Sequence, residues 1–127
     1  MNRRGSYALE FSLVFPLLLP LMSGVIDYGH YLSQEIAMVA AVQEGARTGA
    51  STPQEQGSND AATTEVEGAL LGALGISDAN VVSIINGNAP DQIITVSATV
   101  PFQPPFGLVP VPSQLAAEMT LRMEDQQ

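Results

Sequence analysis

The chain has 127 residues and a formal net charge of −9, with 13 acidic residues against four arginines and no lysine. This length allows one small domain together with a membrane segment, and it is too short for two hydrophobic cores. Nucleic-acid binding is not expected, because neutralising phosphates requires a basic surface. The absence of cysteine excludes disulfides and thiolate metal sites.

An uncharged apolar run extends from Phe11 to Ile26, between Glu10 and Asp27. As a helix, residues 6–26 would be about 32 Å long, close to the roughly 30 Å thickness of the hydrocarbon core of a bilayer. The two arginines at residues 3–4 favour an N-terminus inside and a C-terminus outside. We therefore predict a single-pass transmembrane helix over residues 6–26, preceded by a short cytoplasmic segment.

A cleaved secretory signal is the main alternative for this segment, since such signals also combine a basic start with an apolar stretch. The run is long, however, it lacks a clean small-residue cleavage site, and it continues into a second helical pattern. Pro16 and Pro20 cannot donate to the carbonyls of Ser12 and Pro16, so two helical hydrogen bonds are missing. We expect a bend or loosening there, with neighbouring helices or the Ser12 hydroxyl satisfying the freed groups.

Residues 27–50 continue the helix as an amphipathic extension outside the membrane. An apolar stripe recurs at steps of three or four residues and needs a partner to cover it: Tyr28, Leu32, Ile36, Val39 and Gln43. Small residues at Gly45 and Gly49, and at Gly29 with Ser33, permit close helix contacts. Alternatively, Gly45 and Gly49 only loosen the end of the helix.

A polar linker is predicted at residues 51–60, followed by an outer domain over residues 61–127. Asp60 is a candidate N-cap for a second helix that ends at Gly75. The apolar stripe of that helix consists of Val66, Ala69, Leu70, Ala73 and Leu74.

Alternating apolar residues then predict two strands. One has Ile94, Val96, Ala98, Val100 and Phe102 on one face, and the other has Leu115, Ala117, Met119, Leu121 and Met123. "NVVSII" is a third candidate strand, joined to the first of these by "NGNAPD". The four prolines of "QPPFGLVPVPS" predict an extended, exposed connection. The predicted fold class is α+β, a long helix laid against a small antiparallel sheet of about three strands.

No arrangement of residues in the sequence indicates catalysis. His30 is the only histidine, so there is no His-rich metal site, and we interpret it as structural. Phosphate-binding and dinucleotide-binding motifs are absent. We expect a protein that is not an enzyme, with no metal, no cofactor, no small-molecule substrate and no nucleic-acid partner.

The stretch "RRGSYALEFSLVFPLLLPLMSGVIDYGHYL", followed by "EGAR", resembles the N-terminal region of the TadE-like proteins. These are minor pilins or pseudopilins of the tight adherence (Tad/Flp) pilus system, which is related to type IV pili. The resemblance covers about residues 3–50 and rests on the order and spacing of the elements. His30 departs from it, since relatives often carry arginine there.

The resemblance implies that a prepilin peptidase cuts between Gly5 and Ser6, after the leader of residues 1–5. It implies that Glu10 sets the register of packed helices by pairing with the Ser6 amine of a neighbouring subunit, while Phe11 completes the processing signal. The implied partners are the peptidase, the pilus assembly platform and other pilins. The implied location is the cytoplasmic membrane, with or without incorporation into a surface pilus that serves cell adhesion in bacteria.

Two alternatives to this pilin reading remain open. In the first alternative, the chain is an unprocessed single-span protein whose outer domain binds a partner through the exposed "QPPFGLVPVP" loop. In the second, it is a secreted binding domain that is released by ordinary signal peptidase. For Glu10, the alternative is a carboxylate at the headgroup level that needs no partner.

Overall fold

The computed structural model describes residues 3–87 and 91–123, with side chains from Tyr7 onward. These residues form a long helix, a shorter helix and a three-stranded antiparallel sheet, which confirms the predicted α+β class. The elements in chain order are α1 (Arg3–Ser51), a single 3-10 turn (Gln54–Gln56), α2 (Ser58–Leu74), β1 (Asn80–Asn86), β2 (Ile93–Pro101) and β3 (Gln114–Arg122).

The helix α1 is unbroken over its 49 residues and is therefore about 73 Å long at about 1.5 Å per residue. Pro16 and Pro20 both lie inside it. The Ser12 hydroxyl donates to the carbonyl of Leu9, at 2.9 Å. It therefore does not satisfy the carbonyls freed by the prolines, contrary to one of our two expectations, and the predicted loosening stays a prediction.

The connection between the two helices is tighter than the predicted linker of residues 51–60. The Thr48 carbonyl accepts from both the amide and the hydroxyl of Thr52, at 3.1 and 2.7 Å. The buried Ser58 hydroxyl donates to the Gly49 carbonyl at 2.6 Å. At the end of α1, the Thr48 carbonyl thus closes the helix with Thr52, and the Gly49 carbonyl holds the first residue of α2.

The prediction of Asp60 as N-cap is wrong. Gly57 precedes α2 with φ of 82°, and Asp60 lies within the first helical turn. A carboxylate there still interacts favourably with the positive end of the helix dipole. The other end is as predicted, since Gly75 adopts φ of 67° and its amide donates to the Leu71 carbonyl at 3.0 Å.

The sheet has the order β1-β2-β3 with both pairs antiparallel. Val96 in the central strand lies opposite Ser83 of β1 and Met119 of β3. The predicted alternation is confirmed in β2, where every second side chain is buried, and the third candidate strand is confirmed as β1. Residues 88–90 of the β1–β2 connection lie outside the described residues, as does Glu124 after β3.

One face of the sheet packs against both helices and forms the core of the outer part of the protein. The buried apolar residues are Met38, Ala41, Val42, Ala46, Ala50, Ala62, Val66, Leu70, Ile94, Val96, Ala98, Val100, Phe102, Leu115 and Met123. In α2, Ala62 extends the predicted stripe at its N-terminal end, whereas Ala73 is exposed.

The predicted packing face of α1 is wrong. Leu32, Ile36 and Val39 are exposed, Ile36 at 71% of its surface, and the core instead receives the face that contains Met38 and Val42. The buried face carries mainly alanine and glycine at the level of α2, so the two helices approach closely there. Larger side chains on that face would hold α2 and the sheet away from α1.

Gly45 and Gly49 lie at this close approach. A Cβ at Gly45 would be 2.3 Å from Val66 Cγ2 and 2.8 Å from the Ala62 carbonyl oxygen. One at Gly49 would be 2.5 Å from Ile94 Cδ1 and 2.8 Å from Ala62 Cβ. Both glycines therefore serve contacts inside the chain.

We predict that Gly45→Ala destabilises the protein. The added methyl group meets backbone as well as side chain, and overpacking of this kind costs about 1–3 kcal/mol. Denaturant unfolding of the full chain in detergent, followed by circular dichroism, measures the change as a lower midpoint.

Gly68→Ala in α2 is the matched control, since nothing lies within 4 Å of its added Cβ. Replacing a helical glycine by alanine in open space stabilises by roughly 0.5–1 kcal/mol. Equal midpoints for the two variants would contradict the close approach at Gly45.

Candidate functional site

The first turns of α1 carry the residues predicted for processing and assembly. The peptide bond between Gly5 and Ser6 lies in helical backbone. Glu10 and Phe11 are exposed, and the Phe11 ring lies 5.3 Å from that of Phe15, centroid to centroid. Glu10 lies four residues after Ser6 along the helix, so the two positions share a face.

The apolar segment, residues 11–26, is exposed along almost its whole length. An 18-residue stretch of α1 has a mean hydropathy of 1.9, and 6% of that stretch is buried. Among the described residues, α1 is the one helix long and apolar enough to cross a membrane, as judged by length and composition. An exposed apolar surface of this size is expected to be shielded from water, and a lipid bilayer is the simplest environment that would do so.

A second apolar surface continues outward from this segment. We call Leu32, Ile36 and Val39 the outer stripe, and all three are exposed. Gly29 lies between the outer stripe and the apolar segment, and nothing lies within 4 Å of a Cβ built on it. The small pair formed by Gly29 and Ser33 is therefore open to an approaching surface.

Asp27, which ends the apolar segment, is fully buried at 0% exposure. Its Oδ1 accepts from the Phe106 amide at 2.9 Å, and its Oδ2 accepts from the Gly107 amide at 3.0 Å and the Ser23 hydroxyl at 3.1 Å. Both carboxylate oxygens are thus engaged by donors, as a buried charge requires. The carboxylate clamps the β2–β3 connection onto α1.

This connection, residues 103–113, is called the proline loop below, and it descends along α1 toward the apolar segment. At its start, the buried Phe102 ring meets Tyr31 edge to face, at 5.2 Å between centroids. Farther down, Val109 packs against Gly24, and the Tyr28 hydroxyl donates to the Pro110 carbonyl at 3.0 Å. The amide of Phe102 closes the loop by donating to the Ser113 carbonyl at 2.9 Å.

The proline loop is largely exposed, as predicted, but it is not extended throughout, since it bends at residues 105–106 and 108–109. It is also not free. It is held by a buried carboxylate, an aromatic hydroxyl and the packing of Val109. Sequence reasoning treated Asp27 only as the end of the apolar run and missed this role. One feature of the sequence could have indicated this role. The aspartate of "DYG" adjoins an apolar stretch and has no arginine near it in sequence, so it needs donors from elsewhere in the chain.

His30 also contacts this region. Its Nε2 lies 3.0 Å from Gln34 Nε2, and its ring lies 5.9 Å from that of Phe102. Within the described residues, no group of three or more His, Asp or Glu side chains is placed to hold a metal ion.

Comparison with protein families gives a match to the model of the TadE-like protein family, over residues 5–47. This match confirms the resemblance and covers about a third of the chain. It includes Gly5, Glu10, the apolar segment and Asp27, and ends before the residues of α2 and the sheet. Comparison with curated proteins and with solved structures found no match.

We predict that Asp27→Asn releases the proline loop. The amide nitrogen would replace one acceptor oxygen and place a donor against a backbone N–H. A hydrogen bond to a charged acceptor contributes about 1.5–3 kcal/mol, so exchange of the Phe106 and Gly107 amides should be faster by roughly one to two orders of magnitude. Hydrogen exchange of the full chain in micelles, resolved by peptide, measures this.

Ser23→Ala is the control for this variant. It removes one hydroxyl donor but leaves both carboxylate oxygens to the two amides. Those amides should keep their protection. Unchanged exchange in Asp27→Asn would contradict the assigned role of the carboxylate.

Proposed function

We propose that this chain is a minor pilin or pseudopilin of a Tad/Flp-type pilus, which acts by assembly and not by catalysis. The observation that carries the proposal is the TadE-like match over residues 5–47. The match associates the chain with the Tad pilus system. It falls on the part of α1 that contains Gly5, Glu10 and the apolar segment.

In this proposal a prepilin peptidase cuts between Gly5 and Ser6 and leaves a mature chain that begins at Ser6. The chain is the substrate of that peptidase. The other proposed partners are the membrane assembly platform and other pilins. Before assembly the protein lies in the cytoplasmic membrane as a single-pass protein, with its N-terminus inside and the sheet outside.

Cleavage would place a new amine on Ser6, one helical turn from Glu10. An ionised side chain within the membrane costs several kcal/mol unless it is paired. Removing one partner of a buried ion pair costs about 3–5 kcal/mol, since the other charge is left uncompensated. A Glu10 carboxylate that pairs with the amine of a neighbouring subunit would therefore favour one register of packed helices over the others.

The outer stripe supports a packing role beyond the membrane. Leu32, Ile36 and Val39 follow the apolar segment on α1 and are not used by the core. A helix that exposes large apolar side chains on one face and buries small ones on the other has two packing surfaces. We assign the outer one to helices of neighbouring subunits.

The two prolines fit the same proposal. Pro16 and Pro20 leave two carbonyls of α1 without their usual donors. Loosening at these positions would help the helix to leave the bilayer and pack in an assembly.

We predict that the mature protein, extracted from its native membrane, begins at Ser6. Intact mass and N-terminal sequencing measure this directly. An intact Met1 would favour the unprocessed single-span alternative. A start beyond residue 22 would favour ordinary signal cleavage, and either result would overturn the pilin proposal.

We predict that Glu10→Ala leaves membrane insertion and removal of the leader intact while lowering assembly at least severalfold. The loss of register discrimination described above is the physical reason. Cell fractionation, intact mass of the membrane form, and the amount of chain cross-linked to other pilins in the native host measure the three steps.

Glu65→Ala is the matched control, since Glu65 is an exposed carboxylate on α2. It should leave insertion, processing and assembly unchanged. Normal assembly of Glu10→Ala would instead support a carboxylate that lies at the headgroup level and does not set the register of packed helices.

A further inference from the structure

We propose that the proline loop is a membrane-contacting element, with Phe106 and Leu108 inserted into the outer interfacial zone of the bilayer. The occupant of this surface is phospholipid. The inference rests on the membrane placement of α1 in the proposed function. It adds a second contact with lipid, made by a segment about 80 residues farther along the chain.

Position along α1 is the first support. The contacts of the loop descend the helix from Tyr31 to Asp27 and then to Gly24. Gly24 lies inside the apolar segment, about 3 Å short of its end at Ile26 at about 1.5 Å per residue. The loop is therefore held at the level where a membrane-spanning α1 would leave the hydrocarbon.

Exposure of large apolar side chains is the second support. Phe106 is 59% exposed and Leu108 is 63% exposed, although both belong to a loop that is fastened on either side of them. Tyr28 contacts the same loop, since its hydroxyl donates to the Pro110 carbonyl. Tyrosine with an apolar ring and a satisfied hydroxyl is typical of the membrane interface.

The backbone of the loop also suits an environment with little water. Pro104, Pro105, Pro110 and Pro112 have no N–H to satisfy. The amides of Phe106 and Gly107 donate to Asp27. Since unsatisfied backbone groups are costly near hydrocarbon, the four prolines and the two bonded amides lower the cost of placing this loop there.

Charge distribution is the last support. The chain has a net charge of −9, yet residues 92–117 contain no charged residue. An apolar groove continues from Val109 down α1 past Leu21 to Leu17. An uncharged loop joined to such a groove is suited to contact with acyl chains, and with no lysine in the chain electrostatic attraction to anionic headgroups contributes little.

The test uses tryptophan as a depth probe, since the natural chain contains none. Phe106→Trp and, separately, Leu108→Trp place the probe on the loop. Leu13→Trp places it on the exposed apolar segment, and Ile84→Trp places it on β1, where the side chain is exposed. Ile84 lies far from the apolar segment. Its neighbour Ser83 donates to the Asn59 carbonyl, and Ser58, next to Asn59, donates to the carbonyl of Gly49 near the far end of α1.

Each full-length variant is reconstituted in phosphatidylcholine vesicles at a low protein-to-lipid ratio. Fluorescence is then quenched either by iodide in the water or by phospholipids brominated at defined depths. We expect both loop variants to show blue-shifted emission, loss of iodide quenching, and strongest quenching by bromine near the headgroup. Leu13→Trp should respond to deep bromine, and Ile84→Trp to iodide alone.

Each other outcome overturns the inference in a distinguishable way. If iodide quenches both loop variants as strongly as Ile84→Trp, while Leu13→Trp is quenched by deep bromine, the loop contact is refuted. The membrane placement in the proposed function then still holds. Iodide access to Leu13→Trp refutes both. Shielding of the loop that develops only as the protein-to-lipid ratio rises assigns the surface to a second copy of the chain.

Discussion

The packing of α2 and the sheet depends on one face of α1, which carries mainly alanine and glycine where α2 contacts it. At Gly45 and Gly49 the distances to Val66 and Ile94 leave no room for even a methyl group. Because α2 and the sheet can approach so closely, a core of few residues reaches dense packing against a helix. The Ser58 hydroxyl on the Gly49 carbonyl then joins the end of α1 to the start of α2.

This constraint decides what the rest of α1 can do. Burying the small face turns Leu32, Ile36 and Val39 outward, so their apolar surface remains available. The same unbroken helix carries the apolar segment, and the two surfaces are connected through Gly29, which leaves open space beside it. One helix therefore presents a continuous apolar surface along its length, while another of its faces supports the sheet.

Asp27 lies where the apolar segment of α1 ends. A carboxylate at the end of an apolar segment would ordinarily stay in water, but here it is buried and accepts from two backbone amides and a serine hydroxyl. These bonds bring the β2–β3 connection down to the level of Gly24. Together with Tyr28 and Val109 they give the sheet a second attachment to α1, at the end of the apolar segment.

Local patterns in the sequence were enough to identify the elements and their type. A period of two identified β2 and β3, the length of the uncharged run identified a helix able to span a bilayer, and Gly75 ended α2 as expected. It also carried the TadE-like resemblance, whose motifs are local in the chain. These properties depend on neighbouring residues, which is why pattern and spacing are enough to find them.

Which face of α1 is buried depends on tertiary packing and could not be predicted from local pattern. The outer stripe and the face of Met38, Val42 and Gly45 both recur at helical spacing, and hydrophobicity favours the stripe. The buried face is the one that α2 can approach closely, and this approach depends on residues well beyond α1. The partners of Asp27 are 79 and 80 residues away in sequence, so no local pattern records that a charge ending an apolar run also holds a loop.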